Sequence, residues 1–353
     1  MLKPHHPDPT LLTRRDALKI GGAAAALGLV GLAPFEGRAQ DKAACAKGPL
    51  PRTGPGHVVR IHKPGMMTRT SPDPAAAREM VHKAVTTLAG DDDLGRAWGR
   101  FVQKEDRVGI KINVLGGRLS STMKEVVDPI VEGVRAAGVP DGNILIFDQF
   151  GGNMRGARYE WQEKPGKLRV LNHDVLGYET NFTSAEGGKG KLAKTLTWCT
   201  AVIDVPVLKD HDTAGVTCAI KNMVCGCVER PPLMHGQIHT ALPHFYAREE
   251  IRGRVRLIVA DGSFCLYDGG PKHNAAAHAP HDSVYATTDP VAMDAICLEV
   301  VEGYRAENKM RSLAAVRRPA TYIELAEKLG LGIADRTKIN LQTIDLPPVS
   351  ANG

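Results

Sequence analysis

The sequence predicts an α/β fold, with a largely parallel or mixed sheet flanked by helices. Short apolar runs bounded by polar residues alternate along the chain with stretches of helical spacing, the pattern of β-α units. Aromatic residues make up only 5% of the chain, while 37 Gly and 23 Pro supply many tight connections. Four of the apolar runs deliver a charged or amide side chain at or near their C-terminal ends. Parallel strands would bring those groups to one sheet edge, where α/β proteins bind ligands.

The first segment reads as an export signal. Thr13-Arg14-Arg15-Asp16-Ala17-Leu18-Lys19 precedes a mild Gly/Ala/Leu/Val run from Ile20 to Ala33, and Gly37-Arg38-Ala39 offers a small-residue cleavage site before Gln40. The run is shorter than the about 20 apolar residues of a membrane span. Paired arginines, a short apolar stretch and a small-residue end describe a twin-arginine signal peptide over residues 1–39. The expected location is periplasmic, with the twin-arginine export machinery as a partner. Ala17 departs from the large apolar residue usual at its position. Residues 40–56 read as a linker, 57–345 as the α/β domain and 346–353 as a tail.

Within the domain, His57 to His62 suits a first strand. Pro74 to Leu88 has helical spacing behind an Asp73 cap. Arg107 to Val114 alternates as a strand, and Thr122-Met-Lys-Glu125 resembles a capping box before a helix that Gly138 stops. Ile144 to Phe147 forms a strand ending on Asp148, and 149–167 reads as a polar loop. Thr200 to Leu208 reads as one strand leading into Lys209-Asp-His211. Arg254 to Ala260 leads into Asp261. Asp289-Pro290 opens a helix to about Glu302, with Asp289 as its cap, and Tyr322 to Leu329 forms a short helix.

The formal charge is +6, and the first 39 residues carry five bases against three acids, so the remainder is near +4. That is too mild to predict nucleic-acid binding. No long apolar run follows the signal, so no stable membrane span is expected in the mature chain. Seven scattered cysteines read mostly as small buried residues rather than a disulfide framework.

Several segments resemble the DUF362 family. They are Ile110-Lys-Ile-Asn113, Ile144-Leu-Ile-Phe-Asp148, Val205-Pro-Val-Leu-Lys-Asp-His211 with Ala214-Gly-Val-Thr217 and Ile220-Lys-Asn222, Val259-Ala-Asp-Gly262 and Thr288-Asp-Pro-Val-Ala-Met-Asp294. The resemblance implies the fold more than the reaction. Some members of the family carry a ferredoxin-like segment. This chain has no Cys-x2-Cys-x2-Cys run, so no ferredoxin-type cluster is expected.

Lys209, His211 and Lys221 are the candidate catalytic residues. A lysine becomes a base or nucleophile when desolvated, and a histidine moves protons near neutral pH. Lys111, Asn113, Asp148, Asn222 and Asp261 are the candidate substrate-binding residues, and with the lysines they suit a small anionic ligand. Gly215 would let backbone approach it closely. Cys225, Cys227, His235 and His239, with Cys218 and His244 nearby, are the candidate metal ligands, of a type that suits Zn, Cu or Fe. A strained disulfide between Cys225 and Cys227 is the other reading of that pair. His273, His278 and His281 form a further histidine group, read as lying in a loop. Two functions are open: an exported enzyme acting on a small anion, and a non-catalytic periplasmic metal- or ligand-binding protein.

Overall fold

The structure is a computed structural model that describes residues 54–350. The expected signal peptide, its cleavage site, most of the linker and the end of the tail lie outside the described residues. The strands are β1 (His57–His62), β2 (Val108–Lys111), β3 (Ile144–Asp148), β4 (Arg169–Asn172), β5 (Thr183–Ala185), β6 (Gly188–Gly190), β7 (Ala201–Asp204), β8 (Val207–His211), β9 (Gly215–Thr217), β10 (Val255–Leu266), β11 (His278–Thr287) and β12 (Asn340–Asp345). Ten of them form one sheet in the order β12-β1-β11-β10-β7-β2-β3-β4, with β8 on β10 and β9 on β8, while β5 and β6 make a separate hairpin. In the large sheet only β11 and β9 run against the rest. The fold is therefore α/β with a mixed, mostly parallel sheet.

Successive strand residues feed two apolar layers, as the pleat requires. Leu145 and Phe147 of β3 join one layer and Ile144 and Ile146 the other. Val58 and Val59 of β1 divide in the same way. Helices Ala219–Cys227, Ile238–Tyr246, Pro290–Glu307 and Tyr322–Lys328 contribute to the first layer, and helices Pro74–Ala89 and Lys124–Ala136 to the second. With both faces covered, the central strands are apolar throughout rather than alternating in polarity.

Several helix boundaries follow their local chemistry. Asp73 accepts the Ala76 N–H at 2.7 Å and Pro74 fills the first position of its helix. Asp289 accepts the Val291 and Ala292 N–H groups at 2.9 Å. Three expectations change. Thr122 does not cap helix Lys124–Ala136, because its hydroxyl donates to the Val205 carbonyl and accepts from the Asn113 N–H. The expected strand at 200–208 is two strands, since Pro206 has no N–H to extend the ladder. The chain leaves the β2 side after Asp204 and resumes as β8 beside the far half of β10. The loop expected at 149–167 contains a short helix, Gly151–Gly156.

All six cysteines among the described residues are buried and unpaired, so Cys225 and Cys227 form no disulfide. Among the described residues, no helix is long and apolar enough to cross a membrane.

Candidate functional site

The carboxyl ends of β2, β3, β7 and β8 converge with helix Ala219–Cys227 around three buried lysines. The β2–β7 register places Lys111 beside Asp204, and β8 presents Lys209 and His211. Strand β9 returns antiparallel to β8 and leads into the helix, which supplies Lys221 and Asn222.

One half of this assembly is closed. The Lys111 ammonium lies 2.8 Å from Asp148 Oδ1, and it donates to the Ile112 carbonyl at 2.6 Å and to Asn222 Oδ1 at 3.0 Å. An ammonium has three N–H donors, and here all three have acceptors. Asp148 Oδ2 accepts the Val114 N–H at 2.7 Å. Asn222 also accepts from Asn113 Nδ2 at 3.1 Å and donates to Asp204 Oδ1 at 2.7 Å. Burial pushes the Asp204 carboxyl well above the usual carboxylate range. Its Oδ2 has no partner among the described residues. Lys111, Asp148, Asn113 and Asn222 thus direct their polar atoms at one another, at Asp204, at Lys209 and at backbone. That arrangement braces the site more than it presents groups to a ligand.

The other half is open in charge. Lys209 is fully buried, and its Nζ meets only carbonyl oxygens, Asn113 Oδ1 at 2.7 Å and the Leu115 carbonyl at 3.4 Å. Lys221 is 5% exposed, and among the described residues its amine has neither a hydrogen-bond nor an ion-pair partner. The nearest acid in sequence to Lys209 is Asp210, which pairs with Arg318 at 2.8 Å and accepts the Gly270 N–H at 2.7 Å. Burial and then the charge of Lys221 lower the Lys209 amine to about 7.

His211 Nδ1 accepts N–H groups from Thr213 at 3.1 Å and Ala214 at 3.3 Å. Asp212 also approaches Nδ1 at 2.9 Å. Burial, followed by the charges of Lys221 and its other basic neighbours, nevertheless takes the imidazole down to about 2. That lowering favours the neutral form of the ring. Its ring packs edge-on against His235, with centroids 5.8 Å apart. His235 is half-buried and Asp212 is exposed.

The candidate metal ligands are not gathered. Cys225 and Cys227 lie two positions apart on one helix, which turns their side chains about 200° from each other. His235 packs on His211, while His239 stacks on Tyr322 with centroids 6.4 Å apart. Among the described residues, no group of three or more His, Cys, Asp or Glu is arranged to hold a metal ion. His244 is tied to the Thr240 carbonyl and to Glu186, and Cys218 is buried beside Cys297. His278 and His281 belong to β11 rather than a loop. His273 meets Ser120, His278 meets the Leu119 carbonyl, and His281 meets the Tyr285 and Tyr304 hydroxyls.

Asp261 lies inside β10 rather than at its end, and its carboxylate accepts backbone N–H groups from Met123 at 2.7 Å and Ser263 at 3.0 Å. It anchors the start of helix Lys124–Ala136. At Gly215 a Cβ would come within 2.8 Å of Ala320 Cβ, so the close approach there is by the chain itself.

Two supports were not expected from the sequence. A Cβ on Gly226 would sit 2.4 Å from Lys111 Nζ, so glycine makes room for that lysine. His173, buried and lowered to about 4 by desolvation, donates from Nε2 to the Gly226 carbonyl at 2.6 Å and accepts the Thr195 hydroxyl at Nδ1. The Gly inside Cys225-Gly-Cys227 was the available signal for this packing.

A family model described as a domain of unknown function, DUF362, matches residues 108–299. That span contains every site residue described above. No curated protein matches the chain. Among solved structures, the chain is similar to the lactate racemase apoprotein from Thermoanaerobacterium thermosaccharolyticum. The TM-score is 0.36 and the identity 11%, over 66% of this chain and 54% of that one. The chain thus spans about half the length of that protein.

Proposed function

The chain belongs to the DUF362 family, and from that premise we propose that it is an exported enzyme that binds a small carboxylate or phosphate at Lys209, Lys221 and His211. Lys209 serves as the acid–base group. Lys221 supplies a fixed cation and His211 a neutral N–H donor. Lys111, Asp148, Asn113 and Asn222 hold Lys209 and the helix carrying Lys221 in place. One observation carries this reading: two adjacent lysines are buried without a carboxylate of their own. Burying an unpaired charge is costly, and a bound anion would relieve that cost.

Thermal unfolding with oxalate or phosphate tests it. Stabilisation of about 2.7 kcal/mol is expected when the anion stands at 100 times its Kd. Lys221→Met should remove the effect, and an equal response from both chains would contradict the reading.

A second reading keeps the site without the reaction. Lys209 is fully buried and Lys221 nearly so, which suits tight retention of a ligand as well as turnover. Native mass spectrometry of the exported chain separates the two: a ligand recovered chemically unchanged supports binding alone, and a reaction product supports the enzyme.

Export is tested by changing Arg14 and Arg15 together to lysine. Retention of the unprocessed chain in the cytoplasm is expected, and unchanged secretion would contradict a twin-arginine route.

A further inference from the structure

We propose that Lys209 is a carbonyl-reactive amine that condenses with a small 2-oxo acid to form an imine, while Lys221 holds the acid's carboxylate. This rests on the anion-site reading above and goes beyond it by naming the substrate class and the covalent step.

The three buried lysines show why Lys209 is the one suited to this. Lys111 has a carboxylate and two further acceptors around its ammonium, so every donor is engaged by a group that favours the charged form. Lys209 meets two neutral oxygens, Asn113 Oδ1 and the Leu115 carbonyl. A neutral amine has two N–H groups and one lone pair. With those two carbonyl oxygens as the acceptors of its two N–H groups, a neutral amine keeps its lone pair free. The amine's lowering to about 7, by burial and by Lys221, provides that neutral form near physiological pH. A desolvated lysine next to a second cation is the arrangement that makes an amine nucleophilic.

A 2-oxo acid matches both groups. Its carboxylate answers the uncompensated charge of Lys221, and its carbonyl carbon, one bond away, is the electrophile. Lys209 Nζ attacks that carbon, and the C=O π pair moves to oxygen to give a carbinolamine. The two hydrogens of the amine then leave with the former carbonyl oxygen as one water, and a C=N bond remains. No oxidant or reductant is consumed. Lys221 and His211 can donate hydrogen bonds to the oxygen as it departs.

The experiment uses the mature chain with pyruvate as probe and cyanoborohydride to trap the imine. One reduced adduct is expected, mapping to Lys209, and oxalate should suppress it by competing for the anion site. Lys209→Arg, checked by unfolding to be folded, keeps a basic side chain but has no nucleophilic amine, and should give no adduct at the site. Lys221→Met should reduce trapping to the level of surface lysines. Oxalate binding without a trapped adduct would overturn the imine while leaving the anion site standing. Absence of both would overturn the two together. Equal labelling of wild type and Lys209→Arg would place the reaction on other lysines and end the proposal.

Discussion

Lys111 and Lys209 are both buried lysines delivered by parallel strands to one edge of the sheet, yet they sit in opposite electrostatic surroundings. Lys111 has Asp148 at 2.8 Å and a full set of acceptors. Lys209 has only neutral oxygens and an uncompensated neighbour in Lys221. Residue type and position on the sheet do not separate the two. Their partners do, and the difference separates a braced lysine from the amine proposed to react. Asn113 links the halves, because its amide donates towards the Lys111 side while its oxygen accepts from Lys209.

The largest effect should come from breaking the brace. Asp148→Ala leaves the Lys111 ammonium buried without its carboxylate and should cost about 3–5 kcal/mol of stability in urea unfolding. A loss below about 1 kcal/mol would mean that the pair is not structural. Asn222→Ala takes one acceptor from Lys111 and Asn113 and one donor from Asp204, with an expected cost of about 1–3 kcal/mol.

The pH dependence sharpens the other half. The folded pKa of Lys209 is lowered to about 7 from an ordinary value of 10.5. Between these values the unfolded chain holds the proton that the folded chain has released, so stability contributed by this group rises with pH. Below about 7 both states are protonated, and the full cost of burying the charge remains. The slope approaches about 1.4 kcal/mol per pH unit within the window. Lys209→Met should remove this slope from urea unfolding followed between about pH 7 and pH 10, and an unchanged slope would show that the amine titrates normally. The smallest effect belongs to Lys221→Met. Because its cation has no partner to orphan and its burial is itself unfavourable, stability should stay level or rise in urea unfolding, opposite in sign to Asp148→Ala.

Much of this was legible in the sequence. A polar residue closing an apolar run marks a strand end, which located Lys111, Asp148, Lys209 and His211. Asp204 was hidden because Thr200 to Leu208 reads as one apolar strand unless Pro206 is taken as a break. Which charges are neutralised was not legible either. The deciding pairs join residues far apart in sequence, such as Lys111 with Asp148 and with Asn222. Cys225-Gly-Cys227 suggested a metal because both residues are thiols. On a helix the two thiols diverge, and the informative residue is the glycine between them, which accommodates Lys111. Asp261 looked like a strand end, but β10 continues through it to Leu266.

The most direct measurement is calorimetric titration of oxalate into the wild-type chain and into Lys221→Met, each in two buffers of different ionisation enthalpy at about pH 8, above the lowered Lys209 value. Wild type should bind one oxalate and take up a proton as Lys209 regains its charge beside the anion, whereas Lys221→Met should show no binding heat. Equal binding by both chains would contradict the assignment of the uncompensated lysines as the site.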